Sequence, residues 1–218
     1  MAMSGKILDL RNLLATRFPQ AQMLVGTRLI TGLASFDQPI GGGLPKGAIT
    51  ELISRGSPGS ASLIHALIHG AYRDKYFVAL IDGRDSFDPC ALANSILRQV
   101  LWMRCTKALE AVKAADLLLR DGNFPLVIVD LILNSLEELR KIPQTTWYRL
   151  QRLVESVPTV CLVLTQYEMV SSAQLKLVLE NSWNLETLEK QEAISQLRVM
   201  VKRSHLKSEI RSQTSEVG

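Results

Sequence analysis

The chain has 218 residues, 47% of them hydrophobic and 21% charged, which is enough for one well-buried core and short for two. Its apolar runs, "PLVIVDLIL" and "PTVCLVLT", fall well short of the roughly 20 residues of a membrane helix, and charges interrupt the amino-terminal pattern where a signal peptide is apolar, so a cytoplasmic location is expected. A net charge of +4 and a pI near 9.0 permit nucleic acid or an acidic protein as partner without requiring either.

Ile7, Leu8, Leu10, Leu13, Leu14 and Phe18 recur at helical spacing, with Lys6, Asp9, Arg11 and Arg17 between them, and predict an amphipathic helix over residues 4–17. Its apolar stripe needs a partner, either this domain or a neighbouring molecule. Pro39, Gly41, Gly42, Gly43, Pro45 and Gly47 then interrupt "TGLASFDQPIGGGLPKG" and argue against regular structure there. Beyond it, strands predicted over 48–54, 76–82, 101–104, 125–131 and 158–165 alternate with helices over 60–72, 89–99, 106–120 and 145–156. That alternation is the pattern of an α/β fold, a mostly parallel sheet with helices on both faces. A last helix is predicted over 172–180, and a hairpin from "NSWNLETLE" and "SQLRVMVKR" extends one edge. The organisation expected is an amino-terminal helix and linker (1–27), a core domain (28–203) and a polar tail (204–218) that frays.

Cys90, Cys105 and Cys161, odd in number and set in apolar contexts, read as buried thiols. His65 and His69, four apart with no obvious third ligand, read as surface or boundary histidines, not a metal site. Asp82, Asp85 and Asp88 cluster after a strand end, where they are expected to form an ion-pair network with Arg84, and Asp88 to cap the helix that follows. Trp147 and Tyr148 are adjacent on one helix, so only one can face the core. Two basic groups, Arg140, Lys141, Arg149 and Arg152, and Arg198, Lys202, Arg203, Lys207 and Arg211, suit a phosphate backbone or, as the alternative, plain solvated faces.

"ELISRGSPGSASLI", residues 51–64, has the cadence of a phosphate-binding loop: an apolar strand, small residues, then an apolar helix. On the frame GxxxxGK[ST], Ser54 and Gly59 take the glycine positions, Ser60 the lysine and Ala61 the hydroxyl position. Arg55, Gly56, Ser57 and Pro58 lie between, and Ser62 follows. The cation and the Mg²⁺-holding hydroxyl are both missing, and Pro58 has no N–H to offer a phosphate. Arg55 stands at the wrong end of the loop to replace the lysine. A strand, a turn and a capped helix of this composition also occur without any ligand.

"ITGLASFDQPIGGGLPKGAITELI" resembles the segment that leads into the phosphate loop in the RecA recombinase superfamily. "FVALIDGRDSFDP" is similar to that family's second core strand and catalytic turn, "PLVIVDL" to the Walker B strand, ending in Asp130, and "CLVLTQ" to the strand ending in the phosphate-sensing Gln, here Gln166. The likeness covers residues 28–202. Within the superfamily, "LRKIPQTTWYRLQRLVE" and "GGGLPKGAITEL" are similar to the ImuA group, accessory proteins of bacterial translesion mutagenesis and the SOS response. The resemblance implies a RecA-like P-loop fold, and a polymerase, RecA or DNA as partner. Self-association through the amino-terminal helix is a further implication. The family's Asp-x-Glu, which activates the attacking water, reads Asp82-Gly83-Arg84 here, and a guanidinium cannot accept a proton. The expectation is therefore an accessory protein without catalytic residues or cofactor, with a vestigial nucleotide site at Ser54–Ser62, Arg84, Asp130 and Gln166. DNA or partner contacts are expected at Arg198, Lys202, Arg203 and Lys207. The alternatives are a weak DNA-dependent ATPase, taking ATP and Mg²⁺ with a cation from Arg55, Arg84 or a neighbouring subunit, and a simple DNA-binding module.

Overall fold

The structure, a computed structural model, describes residues 27–55, 59–180 and 197–204 together with Leu13, Thr16 and Arg17. The lead-in segment is more ordered than its glycines and prolines predict. Two short strands, β1 (Arg28–Leu29) and β2 (Leu44–Pro45), pair antiparallel, and a single turn of helix, α1 (Ala34–Asp37), runs into a 3-10 turn at Gln38–Ile40. Side chains supply the order that the backbone composition withholds. The Asp37 carboxylate accepts from Thr31 N, Thr31 Oγ1 and Gly32 N, and Arg28 Nη1 donates to the carbonyls of Ile40 and Gly43 at 2.7 and 2.9 Å.

The chain then alternates as predicted: β3 (Ala48–Ile53), α2 (Ser60–Arg73), β4 (Val78–Asp82), α3 (Asn94–Leu97), β5 (Val100–Arg104), α4 (Ala108–Asp121), β6 (Leu126–Asp130), α5 (Leu136–Arg140), α6 (Gln144–Glu155), β7 (Val160–Thr165), β8 (Leu175–Glu180) and β9 (Arg198–Ser204). Seven strands form one sheet in the order β5-β4-β6-β7-β3-β8-β9, parallel throughout except for β9, which runs antiparallel to β8. Continuous apolar runs are what strands covered on both faces require. Ile49, Ile81, Val127, Val129, Cys161 and Val163 point to the face packed by α4 and α6, whose Ala111, Ala115, Leu118, Trp147 and Leu150 are buried there. Leu52, Leu80, Ile128, Leu162 and Leu164 point to the other face, under Leu63, Leu67 and Ile68 of α2 and Phe36 of the lead-in. No helix among the described residues is long and apolar enough to cross a membrane.

Two predicted elements come out differently, and one element appears that was not predicted. Residues 175–180, expected within a helix, form β8: Leu175, Leu177 and Leu179 alternate into the core, and Lys176 pairs in register with Glu51 of β3. The helix expected over 89–99 is a 3-10 turn at Pro89–Ala91 followed by the one-turn α3, because Leu92 and Ala93 stay extended, with Leu92 and Ile96 both buried in the second core. The short helix α5 was not expected at all, although its sequence announces it. Ser135 stands at the N-cap, where its Oγ accepts from Glu138 N three residues on. Of the predicted hairpin, "NSWNLETLE" lies outside the described residues, as does the tail beyond 204, and the second strand pairs with β8.

Candidate functional site

In an open parallel sheet, ligands are taken at the carboxyl ends of the strands. Because β6, β7 and β3 are neighbours, that edge brings Asp130, Gln166 and Ser54 side by side, with Asp82 facing Asp130 in register from β4. Ser54 N donates to Thr165 O at 2.8 Å, which ties the start of the loop to β7. Gly59 holds φ at +131°, a conformation that side-chain-bearing residues avoid, immediately before the first turn of α2. In that turn Ser60 and Ser62 are half-buried and Ala61 is exposed, while Arg55 is exposed at the other end of the loop. Gly56, Ser57 and Pro58 lie outside the described residues.

Arg84 does not join this group. Its Nη1 donates to Thr106 O at 3.1 Å, drawing the guanidinium toward the junction of β5 and α4, on the side of β4 away from the loop. The expected network between Arg84 and the three aspartates is therefore replaced by another. Asp85 pairs with Arg104, whose guanidinium also lies over the Trp102 ring, 5.1 Å from its centroid. Asp82, nearly inaccessible, accepts from the backbone N–H groups of Arg84, Ser86 and Phe87 and from Trp102 Nε1, so its carboxylate is occupied in shaping the turn. Asp88 caps Cys90 N as predicted. The turn is also pressed against β6. Gly83 N donates to Asp130 O at 2.9 Å, and a Cβ on Gly83 would lie 2.7 Å from that same oxygen and closer still to Asn134 Oδ1. Asn134 Nδ2 donates to Gly83 O and to Glu138, whose other oxygen accepts from Ala108 N at 2.7 Å at the start of α4. Asn134 and Glu138 are absent from the predicted site, since their partners lie 51 and 30 residues away in the chain.

Asp130 is the electrostatic anomaly of the edge. Burial, and after it the negative charge of Asp82, push its carboxyl up to about 6, with the N–H of Ile132 acting in the opposite direction. A carboxyl that holds its proton more tightly in the folded state favours folding below its unfolded value and opposes it as pH rises through its folded value. Asp130→Asn, which keeps the acceptor for Ile132, is thus expected to stabilise the protein at pH 7.5 by about 1–3 kcal/mol. The gain should fade between about pH 6 and pH 4, and urea unfolding across that range checks it.

A second polar assembly lies beside Gln166. Glu51, wholly buried in β3, holds the turn after β7 through the N–H groups of Met169 and Val170, at 2.7 and 3.0 Å. Its other oxygen is 3.0 Å from Nζ of the buried Lys176, which also reaches Glu168. Lys202 of β9 bonds to Glu168 from outside, and together the two lysines hold that carboxyl below the usual carboxylate range. A β-bulge makes this possible: Lys176 pairs with Arg203 and Leu177 with Val201, so Lys202 is the extra residue and turns toward Glu168. Of the predicted DNA-contact group, Arg198, Lys202 and Arg203 lie along β9, and Lys207 is outside the described residues. In the other basic group, Lys141 pairs with Glu137 and Arg149 with Asp116.

Trp147 takes the core position and leaves Tyr148 half exposed. His65 is half-buried against the edge of Phe87, and His69 is exposed. Cys105 and Cys161 are buried as expected, whereas Cys90 is exposed, because the 3-10 turn directs it outward where a continuous helix was expected.

No family model matches the chain. It is similar to RecA proteins: 29% identical over 103 residues to that of Chlamydia trachomatis serovar L2, 32% over 104 residues to that of Clavibacter michiganensis and 30% over 103 residues to that of Ectopseudomonas oleovorans. Each match covers 46% of this chain and 28–30% of the relative, so the chain spans less than a third of the length of these relatives. The likeness is a RecA-like relationship, and the mostly parallel sheet between helices agrees with it.

Proposed function

We propose that this chain is a RecA-like accessory protein of DNA repair or translesion synthesis, of the ImuA kind, which acts by binding and does not hydrolyse ATP. The observation that carries the reading is the course of Arg84, which occupies the place of the catalytic glutamate and bonds to Thr106 on the far side of β4. The donor set supports it. A magnesium triphosphate needs a cation at the head of α2, where Ser60 stands, and a hydroxyl beside it, where Ala61 stands. Asp82 is engaged by five neighbouring donors, so its carboxylate is committed to holding the turn. The same edge offers contacts to a macromolecule instead. Leu133 and Tyr167 are exposed on the turns after β6 and β7, at 58% and 44%, and Tyr167 lines a cleft of about 340 Å³ together with Arg140, Gln144 and Trp147.

A second reading, a weak DNA-dependent ATPase, draws on the RecA relatives and on Asp130 and Gln166 at the sheet edge. Calorimetric titration with ATP and Mg²⁺ separates the two. The accessory reading expects no heat of binding in the micromolar range. Micromolar binding that Asp130→Ala abolishes would sink the accessory reading.

A further inference from the structure

At the end of the sheet farthest from β9, strand β5 pairs, among the described residues, only with β4, and its residues Val100 to Met103 are half-buried. Beside it runs a groove of about 560 Å³ whose walls are almost wholly apolar: Leu97, Leu101, Met103 and Leu118 line it, with Trp102 and Pro89. An apolar edge strand left open is a template for unwanted pairing, and folded proteins cover such edges. Two further residues line the same groove, Leu13 and Arg17, from the segment with the unassigned apolar stripe.

Both are described residues of that segment, and both line the groove. Leu13 and Arg17 are four apart, and in a helix they share a face with Leu10 and Leu14, giving the spacing i, i+3, i+4, i+7. Leu13, 62% exposed, stands at the rim, and the methylene stem of Arg17 suits an apolar wall while its charge stays in water. We infer that residues 4–17 of this same chain are the occupant of the β5 groove, so that the amino-terminal stripe covers its own sheet edge and withholds that edge from a second copy. The reach is short, since Arg17 is only 11 residues before β1. The inference does not depend on the state of the nucleotide site.

The test uses the full chain and the double variant Leu10→Asp, Leu14→Asp. In hydrogen–deuterium exchange the variant is expected to take up label across 100–104 about tenfold faster than the parent, as an uncovered edge opens more readily, with β6 (126–130) unchanged as the measure of an intact fold. Protection of 100–104 in the parent should be independent of protein concentration, with a monomer in sedimentation velocity. Equal uptake at 100–104 in parent and variant, with β6 protected in both, overturns the inference. So does protection of the parent that disappears on dilution as a sedimenting dimer dissociates, because the occupant is then a second copy. Should β6 lose protection in the double variant, Leu13→Asp alone, at the rim, gives the same readout, and unchanged uptake there also overturns it.

Discussion

Replacing Lys176 with methionine is expected to lower the stability of the fold by about 3–5 kcal/mol, the scale for removing one partner of a buried ion pair. Lys176 and Glu51 are 3% and 0% exposed, so neither charge has water to fall back on. Their Cα atoms are partners in the β3–β8 ladder, which leaves no room for a compensating shift. Methionine fits the volume but strands the Glu51 carboxylate in the sheet, and it removes the inner cation from Glu168. The companion substitution Glu51→Gln tells the cause apart from simple loss of packing. Glutamine retains an acceptor for Met169 N and Val170 N while discarding the charge, so the double variant should recover more than half of the loss. Urea unfolding monitored by far-UV circular dichroism measures both. A loss below about 1 kcal/mol for Lys176→Met would mean that water reaches the pair.

Asp37→Ala is the second large expected effect, about 3 kcal/mol, which for a chain of this size corresponds to a fall of about 6–12 °C in the melting temperature. The carboxylate gathers Thr31 N, Thr31 Oγ1 and Gly32 N between 2.8 and 3.2 Å and is itself 8% exposed. Alanine leaves these donors without acceptors beneath a loop that packs on α2, where the Thr31 carbonyl lies 2.9 Å from the position of a Cβ on Gly70. Asparagine keeps one acceptor oxygen and should lose about half as much. Differential scanning calorimetry of the two variants decides the matter. Equal melting temperatures for the Asp37→Ala variant and the parent protein would assign the order of the lead-in to its backbone alone.

These two residues mark the boundary of what the sequence discloses. Asp37 belongs to the stretch that carried the family resemblance most strongly, yet its work in the structure is to fold a loop, as the chain brings its partners within six residues of it. Glu51 sits in "AITELI", which reads as one more apolar strand, and its partner Lys176 comes 125 residues later, with no local signal to join them. The alternation of Leu175, Leu177 and Leu179 was a strand signal in plain view. The lysine between them, pointing inward, hid it, because inward-facing positions are expected to be apolar. Strands β4, β6 and β7 were legible for the opposite reason: both faces are covered, so every position before the last is apolar and the polar residue at each end sets the limit. Ser54, Asp130 and Gln166 were named from the family resemblance, and the adjacency of β6, β7 and β3 brings them to one edge of the sheet. The direction of Arg84 was not legible, because it depends on the carbonyl of Thr106, 22 residues further on.

The bulge at Lys202 bears on how the last strand meets polyanions. Its ammonium is already committed to Glu168, which in turn answers to Lys176. A phosphate arriving at β9 competes with a resident carboxylate for that cation, and each success leaves an acidic group newly unbalanced next to the interior pair. The strand thus discourages loose electrostatic adhesion at Lys202, and its positive charge serves first as an internal fastening, connecting the rim of the molecule to the middle of its sheet.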